Sequence, residues 1–225
     1  MMHCISVKNM RDSDAYTIAH FIPSLELMHR AAYGVFLAVS WHGRIAIVTG
    51  SGNNGGDGFA LACILRENGY DCRVFTCGRR FSTDSAHYAA RAEVLGVPIQ
   101  PFAPGCLNGC AIVVDCLLGT GFSGSVREDY RIAIEGINRS EAYVVSVDIN
   151  SGMNGDTGEA EIAVHSDLTV TVGYLKHGLL APPAGKYIKR LVCADIGIVL
   201  QRVERVVTEH DRPSWLDMTV ISAKN

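Results

Sequence analysis

Residues 50–58 read Gly-Ser-Gly-Asn-Asn-Gly-Gly-Asp-Gly and stand between the apolar run Ile45-Ala46-Ile47-Val48-Thr49 and the helix-like stretch Phe59–Asn68. Five glycines, two amides and one carboxylate between a strand and a helix mark a loop that turns sharply. Glycine lacks the Cβ that would forbid such turns and would keep a ligand away from the main chain. The following helix presents its free N–H groups and the positive end of its dipole to the same place, which suits a pyrophosphate.

Strand and helix patterns alternate along the rest of the chain. A helix is expected around Asp12–Phe21. A second starts with Ser24 as N-cap after Pro23, where Leu25, Met28, Ala32, Phe36 and Val39 recur at helical spacing. Then follow strand Arg44–Thr49, helix Gly58–Asn68, strand Cys72–Cys77, helix Asp84–Leu95, strand Ala111–Cys116, helix Glu128–Asn138 and strand Tyr143–Asp148. Leu168–Val172 and Arg190–Ala194 extend the sheet. This order defines the α/β class, a Rossmann-like three-layer sandwich with a mostly parallel central sheet. The 225 residues are expected to form a single domain, with no assigned element in the tail, residues 201–225.

Several function classes are excluded by composition. A net charge of -3 gives no basic footprint for nucleic acid. The most apolar helical run, Ala31–Trp41, is far short of the roughly 20 residues that span a bilayer. Met1–Asp14 is polar and mixed in charge, unlike a signal peptide. Eight scattered cysteines without a Cys-x-x-Cys pair read as reduced core residues of a cytoplasmic protein. Cys106 and Cys110 lack the partners of a tetrahedral metal site.

Three strands end in marked residues: Thr49 before the glycine loop, Asp115, and Asp148. Small-residue loops follow the two carboxylates, Gly119–Ser125 and Asn150–Gly152. Each Asp alone is most simply an N-cap, Asp57 caps the helix after the glycine loop, and Asn53 and Asn54 suit turn positions. Taken together, the three loops at the carboxyl edge of a parallel sheet make a nucleotide-sized cleft. Gly50, Gly52 and Gly55 fit Gly-x-Gly-x-x-Gly, but Cys77-Gly78 stand where a dehydrogenase fingerprint needs an acid. Arg79 and Arg80 follow, which keeps open an NADP-dependent dehydrogenase with arginines on the 2′-phosphate. No Lys-Ser/Thr pair follows the glycines, and no Gly-x-Ser-x-Gly elbow occurs.

The segment Gly52–Gly58 resembles the signature of the NAD(P)H-hydrate epimerases, also called NAD(P)HX epimerases. The resemblance continues in Val114–Gly121, Val147–Gly152, Asp167–Thr171, Lys176–Leu179 and Ile22–Met28, and spans roughly Met10 to Ile198. It implies a Rossmann-like homodimeric isomerase that interconverts the R and S epimers of hydrated NADH and NADPH, NADHX and NADPHX, for nicotinamide nucleotide repair. Carried over by motif, the substrate contacts Asn53, Asn54, Gly55, Gly56, Asp57, Gly119, Thr120, Gly121, Phe122, Ser123, Gly124, Ser125 and Asp148. A potassium ion is held by Asn54, Asp115 and Ser151, oxygen ligands suited to a hard cation. The chain ends soon after Ile198, so a separate NAD(P)HX dehydratase is the expected functional partner.

The chemistry requires loss of the C6 hydroxyl with help from the N1 lone pair, then readdition of water to the other face. Asp148 is the expected catalytic acid and base, Asp115 a structural and electrostatic ligand, and Lys176 a solvated surface lysine, with a donor to the cleft as the alternative. Departures from the family pattern are His29 for a Glu, Ala31-Ala32 for Ala-Gly, Asn150 for a Pro, and Ala62–Leu65 where an Arg is common. The alternative is a non-catalytic nucleotide-binding or scaffold module of the same fold. Such a module has no need of Asn53-Asn54, two strand-end carboxylates and Ser151 together.

Overall fold

Strands covered by helices on both faces must be largely apolar, and the central strands here are, with Asp115, Ser146, Thr169 and Thr171 as polar positions within them. A computed structural model describes residues 2–78 and 81–224. In chain order the elements are β1 (Met2–Ile5), α1 (Val7–His20), α2 (Ser24–Ala38), β2 (Ile45–Thr49), α3 (Asn53–Glu67) and β3 (Cys72–Thr76). Next come α4 (Thr83–Val94), β4 (Ile99–Pro101), β5 (Ile112–Cys116), α5 (Glu128–Asn138), β6 (Tyr143–Val147) and β7 (Leu168–Val172). Last are β8 (Leu175–Lys176), α6 (His177–Leu180), a 3-10 turn (Pro182–Lys186), β9 (Leu191–Asp195), β10 (Arg205–Val207) and β11 (Leu216–Ser222).

Eight strands form one sheet in the order β11-β9-β7-β6-β5-β2-β3-β4. Every pairing in it is parallel. Alternate residues of β2 serve opposite layers: Ile45 and Ile47 pack with α2, α3 and α4, while Ala46 and Val48 pack with α5. The order reverses between β2 and β5, so the crevice for a ligand opens at their carboxyl ends. Register places Val48 beside Asp115 and Asp115 beside Ser146, which sets that carboxylate in the middle of the sheet.

A second sheet joins the two chain ends, in the order β10-β1-β8. Neither β1 nor β10 is expected from the sequence, because strands of four and three residues carry almost no periodic signal. The tail also supplies β11, which extends the main sheet on β9. Three expected helix starts are corrected. Helix α1 begins at Val7, five residues before the expected Asp12. Pro23 is the N-cap of α2, and Ser24 lies inside the helix without a capping bond. Helix α3 begins at Asn53, five residues before the expected start, so Asp57 lies within the helix and does not cap it. Asn and Gly are poor helix formers, which hides that first turn from propensity.

The cysteines are free thiols, seven of them buried and Cys106 partly so. No helix among the described residues is long and apolar enough to cross a membrane.

Candidate active site

The glycine loop meets the segment after β5 by backbone contact, and the third loop joins them through Ser151 Oγ, which accepts from the Leu118 N–H at 2.9 Å. A Cβ on Gly50 would lie 2.0 Å from the Leu117 carbonyl oxygen, and one on Gly55 would lie 2.1 Å from that of Gly50. Only glycine allows this approach, which brings the start of α3 against the end of β5. No side chain caps α3 at Gly52. Its first-turn N–H groups therefore face the crevice in the manner of an anion-binding helix end.

A cavity of about 720 Å³ opens there. Asn53, Asn54, Asp57, Gly119, Thr120, Gly121, Phe122, Ser123, Ser125 and Asp148 line it. Gly55 and Gly56 are buried inside α3, and Gly124 stands off the wall with φ +85°. The residues Asp115 and Ser151 are fully buried beneath the wall.

Asp115 accepts hydrogen bonds from Ser146 Oγ at 2.9 Å, Ser151 N–H at 3.0 Å, Ser151 Oγ at 2.5 Å and Leu117 N–H at 3.2 Å. Burial still pushes its carboxyl upward, against the pull of those donors. Asn54 donates through Nδ2 to the Leu118 carbonyl at 3.0 Å, and the same carbonyl lies 3.2 Å from Ser151 Oγ. The Asn54 Oδ1 atom is buried and has no hydrogen-bond partner. An orphaned amide oxygen, on a side chain joined through the Leu118 carbonyl to Ser151 and from there to Asp115, fits a hard cation that takes oxygen ligands.

Asp148 is the one described residue other than glycine with a positive φ, at 69°. Strain of this kind persists only where the surroundings hold it. Its Oδ2 accepts from the Thr120 N–H at 3.2 Å, and its Oδ1 accepts from Lys176 Nζ. Lys176 is fully buried, also donating to Thr171 Oγ1 at 2.9 Å and the Val172 carbonyl at 2.8 Å. This corrects its reading as a surface lysine. Breaking one half of such a pair strands a buried charge and costs about 3 to 5 kcal/mol.

Two further carboxyls share the cavity. Asp57 is pushed well above the usual carboxylate range, first by burial and then by Asp148 and Asp14. Asp14, on α1, is raised by burial and by Asp148. Helix α1 walls the cavity with Met10, Arg11, Asp14 and Ile18, and Arg11 Nη2 donates to the Thr120 carbonyl across its mouth. Sequence reasoning missed this wall, since nothing in a polar N-terminal helix says where it docks. Lys176 was within reach, because it opens the Lys176–Leu179 signature at the end of an apolar run.

The departures sit as follows. His29 stacks on Tyr33 of its own helix, with ring centroids 6.2 Å apart, and is not on the cavity wall. Asn150 is fully buried, donating to the Val164 carbonyl at 2.9 Å and Ser166 Oγ at 3.0 Å, and accepting from Thr169 Oγ1 at 2.6 Å. Ala62–Leu65 are core residues of α3. Arg79 and Arg80, the residues of the dehydrogenase alternative, lie outside the described residues.

Fold and site together define an α/β protein with a nucleotide-sized cleft at the switch point of a parallel sheet. The chain belongs to the YjeF-related protein N-terminus family, which matches residues 24–178. It is 37% identical over 199 residues to the NAD(P)H-hydrate epimerase of Limosilactobacillus fermentum, covering 85% of this chain and 95% of that protein. The NAD(P)H-hydrate epimerase of Lentilactobacillus buchneri is 35% identical over 210 residues, 88% of this chain and 96% of that one. The bifunctional NAD(P)H-hydrate repair enzyme Nnr of Coxiella burnetii is 34% identical over 215 residues, 92% of this chain but 44% of its own length. The crystal structure of yeast ynu0, YNL200c, shares the fold with a TM-score of 0.69 and 21% identity, over 79% of this chain and 83% of that chain.

Proposed function

We propose that this chain is an isomerase that interconverts the R and S epimers of hydrated NADH and NADPH at C6, for nicotinamide nucleotide repair. The observation that carries the chemistry is Asp148, held in a left-handed conformation at the cavity wall by Lys176 and the Thr120 N–H. The relatives that match nearly end to end are NAD(P)H-hydrate epimerases, which favours a catalyst over a scaffold.

The N1 lone pair expels the C6 hydroxyl, which takes a proton and leaves as water, and a ring iminium remains. Water then adds to the opposite face and gives up a proton, so the net change is configuration alone. Asp148 moves these protons, a contribution of about 10² to 10⁴ in rate. Asp57 is the second group able to carry one, because its raised carboxyl holds a proton at higher pH than an ordinary Asp. The N-terminus of α3, with Asn53 and Asn54, receives the pyrophosphate, and the Gly119–Ser125 loop closes the other side.

Asn54, Asp115 and Ser151 hold a potassium ion in this reading, supported by the orphaned Asn54 oxygen. Bound there, the ion would supply fixed positive charge to the site. A homodimer is the proposed assembly, supported by the exposed Tyr16 and Phe21 at the end of α1. A dehydratase is the proposed functional partner, supported by the bifunctional NAD(P)H-hydrate repair enzymes among the relatives, and the buried free thiols agree with the cytoplasm.

The test is incubation of the purified protein with resolved R NADHX, followed by chromatography of the S epimer. Conversion above the spontaneous rate supports the proposal. A folded preparation that gives no acceleration refutes it.

A further inference from the structure

Two elements that shape the cavity lie at or beyond the edges of the matched region, residues 24–178. One is α1, which carries Arg11 and Asp14 on the wall. The other is β8, whose last residue is Lys176. A single carboxylate from the tail bonds the start of α1 and His177, the residue that follows β8.

Glu204 accepts from the Ser6 N–H at 2.7 Å, Ser6 Oγ at 3.0 Å and Asn9 Nδ2 at 3.0 Å. Ser6 is the N-cap of α1, and its hydroxyl accepts from the Asn9 N–H at 3.2 Å. Glu204 also lies 2.7 Å from Nε2 of His177, the residue after Lys176, and takes a fifth bond from Arg202 at 2.8 Å. The other His177 ring nitrogen is 3.3 Å from Cys4 Sγ on β1. A carboxylate can only accept, so His177 Nε2 carries a proton and donates it. Burial acts to raise Glu204, but the bonds from Arg202, Ser6 and His177 outweigh it and hold the carboxyl at about 2.

We propose that Glu204 is a positioning residue for the epimerisation. It fixes Lys176 against Asp148 through His177, and it seats α1 on the cavity through Ser6 and Asn9. The kinetic part of this proposal rests on the epimerase reading; the geometric part does not.

The two arms separate by mutation. Displacing a reacting group by about 1 Å costs as much as 10²-fold in rate. His177→Ala therefore lowers kcat by about 10- to 100-fold with KM near wild type. Asn9→Ala raises KM severalfold and leaves kcat within about twofold, since α1 binds and does not react. Glu204→Ala does both, and Glu204→Gln, which keeps one acceptor oxygen, restores part of each and covers a failure of the alanine variant to fold. A merely structural Glu204 lowers thermal stability without this split.

The second readout needs no substrate turnover. Brief acetylation with acetic anhydride, read by peptide mass spectrometry, leaves Lys176 unmodified in the wild type, where it is buried. Lys176 becomes reactive in His177→Ala and Glu204→Gln at a temperature where circular dichroism shows both folded. Continued protection of Lys176 in both variants overturns the proposal, whatever the kinetics. A wild type that does not accelerate epimerisation refutes the epimerase reading instead, and the labelling alone then decides the role of Glu204.

Discussion

The Lys176 ammonium is buried against the Asp148 carboxylate, and Asp148 takes that position with φ at 69°. The lysine comes from a two-residue strand of the small sheet and the aspartate from the end of β6 in the large one. Their meeting is what couples the two sheets to the cavity.

Removing one charge of this pair therefore costs more than removing both. Lys176→Met is expected to destabilise the protein by about 3 to 5 kcal/mol in urea unfolding. The double variant Lys176→Met/Asp148→Asn recovers part of that loss. Additive losses would show that the pair does not interact.

Gly50→Ala and Gly119→Ala separate folding from function. The Gly50 Cβ meets a backbone carbonyl at 2.0 Å, which forces β2 and β5 apart at their ends. We expect a loss of about 1 to 3 kcal/mol or more, seen as a lower melting temperature. A Cβ on Gly119 lies 3.0 Å from Asp148 Oδ2 and 3.2 Å from Asn54 Cβ, both in the site. That variant melts close to wild type and loses activity.

Asp57 and Glu204 predict opposite pH effects. Glu204 is lowered to about 2, so its contribution to stability is full above its ordinary value of 4.5 and is lost as pH falls towards 2. Glu204→Gln flattens that acid transition in a fluorescence-monitored titration. Asp57 is raised, so its proton is held below its folded pKa and lost as pH rises through it. Activity that depends on this proton declines on the alkaline side, and Asp57→Asn removes that limb along with most of kcat.

Potassium is expected to raise the melting temperature relative to an equal concentration of choline chloride, because an ion held by the proposed ligands Asn54, Asp115 and Ser151 would bind the folded state alone. Asn54→Leu removes the orphaned oxygen and abolishes the difference. A potassium effect that survives this substitution places the ion elsewhere.

The large sheet and its crevice were readable because β2, β5 and β6 are largely apolar runs, and because Asp115 and Asp148 interrupt the pattern at strand ends. The Gly50–Gly58 loop was readable as a close approach, but the partner of that approach, Leu117, was not. Lys176 looked exposed because a lysine is rarely buried without a partner, and its partner is 28 residues away. Residues Met2–Ile5 and Arg205–Val207 gave no signal at all, since their pairing exists only through contacts across the length of the chain. Asn150, which stands where the family pattern has a Pro, is a buried tie between the Asp148 loop and Thr169, and that partner is not legible from the substitution alone.

The most direct test of the central claim is conversion of R NADHX to the S epimer in ¹⁸O-labelled water, by wild type and Asp148→Asn at equal folded concentration. The account predicts rapid conversion by the wild type with ¹⁸O in the C6 hydroxyl of the product, and a rate about 10² to 10⁴ lower for the variant. Equal rates for the two proteins, or an S epimer formed without solvent oxygen, would contradict it.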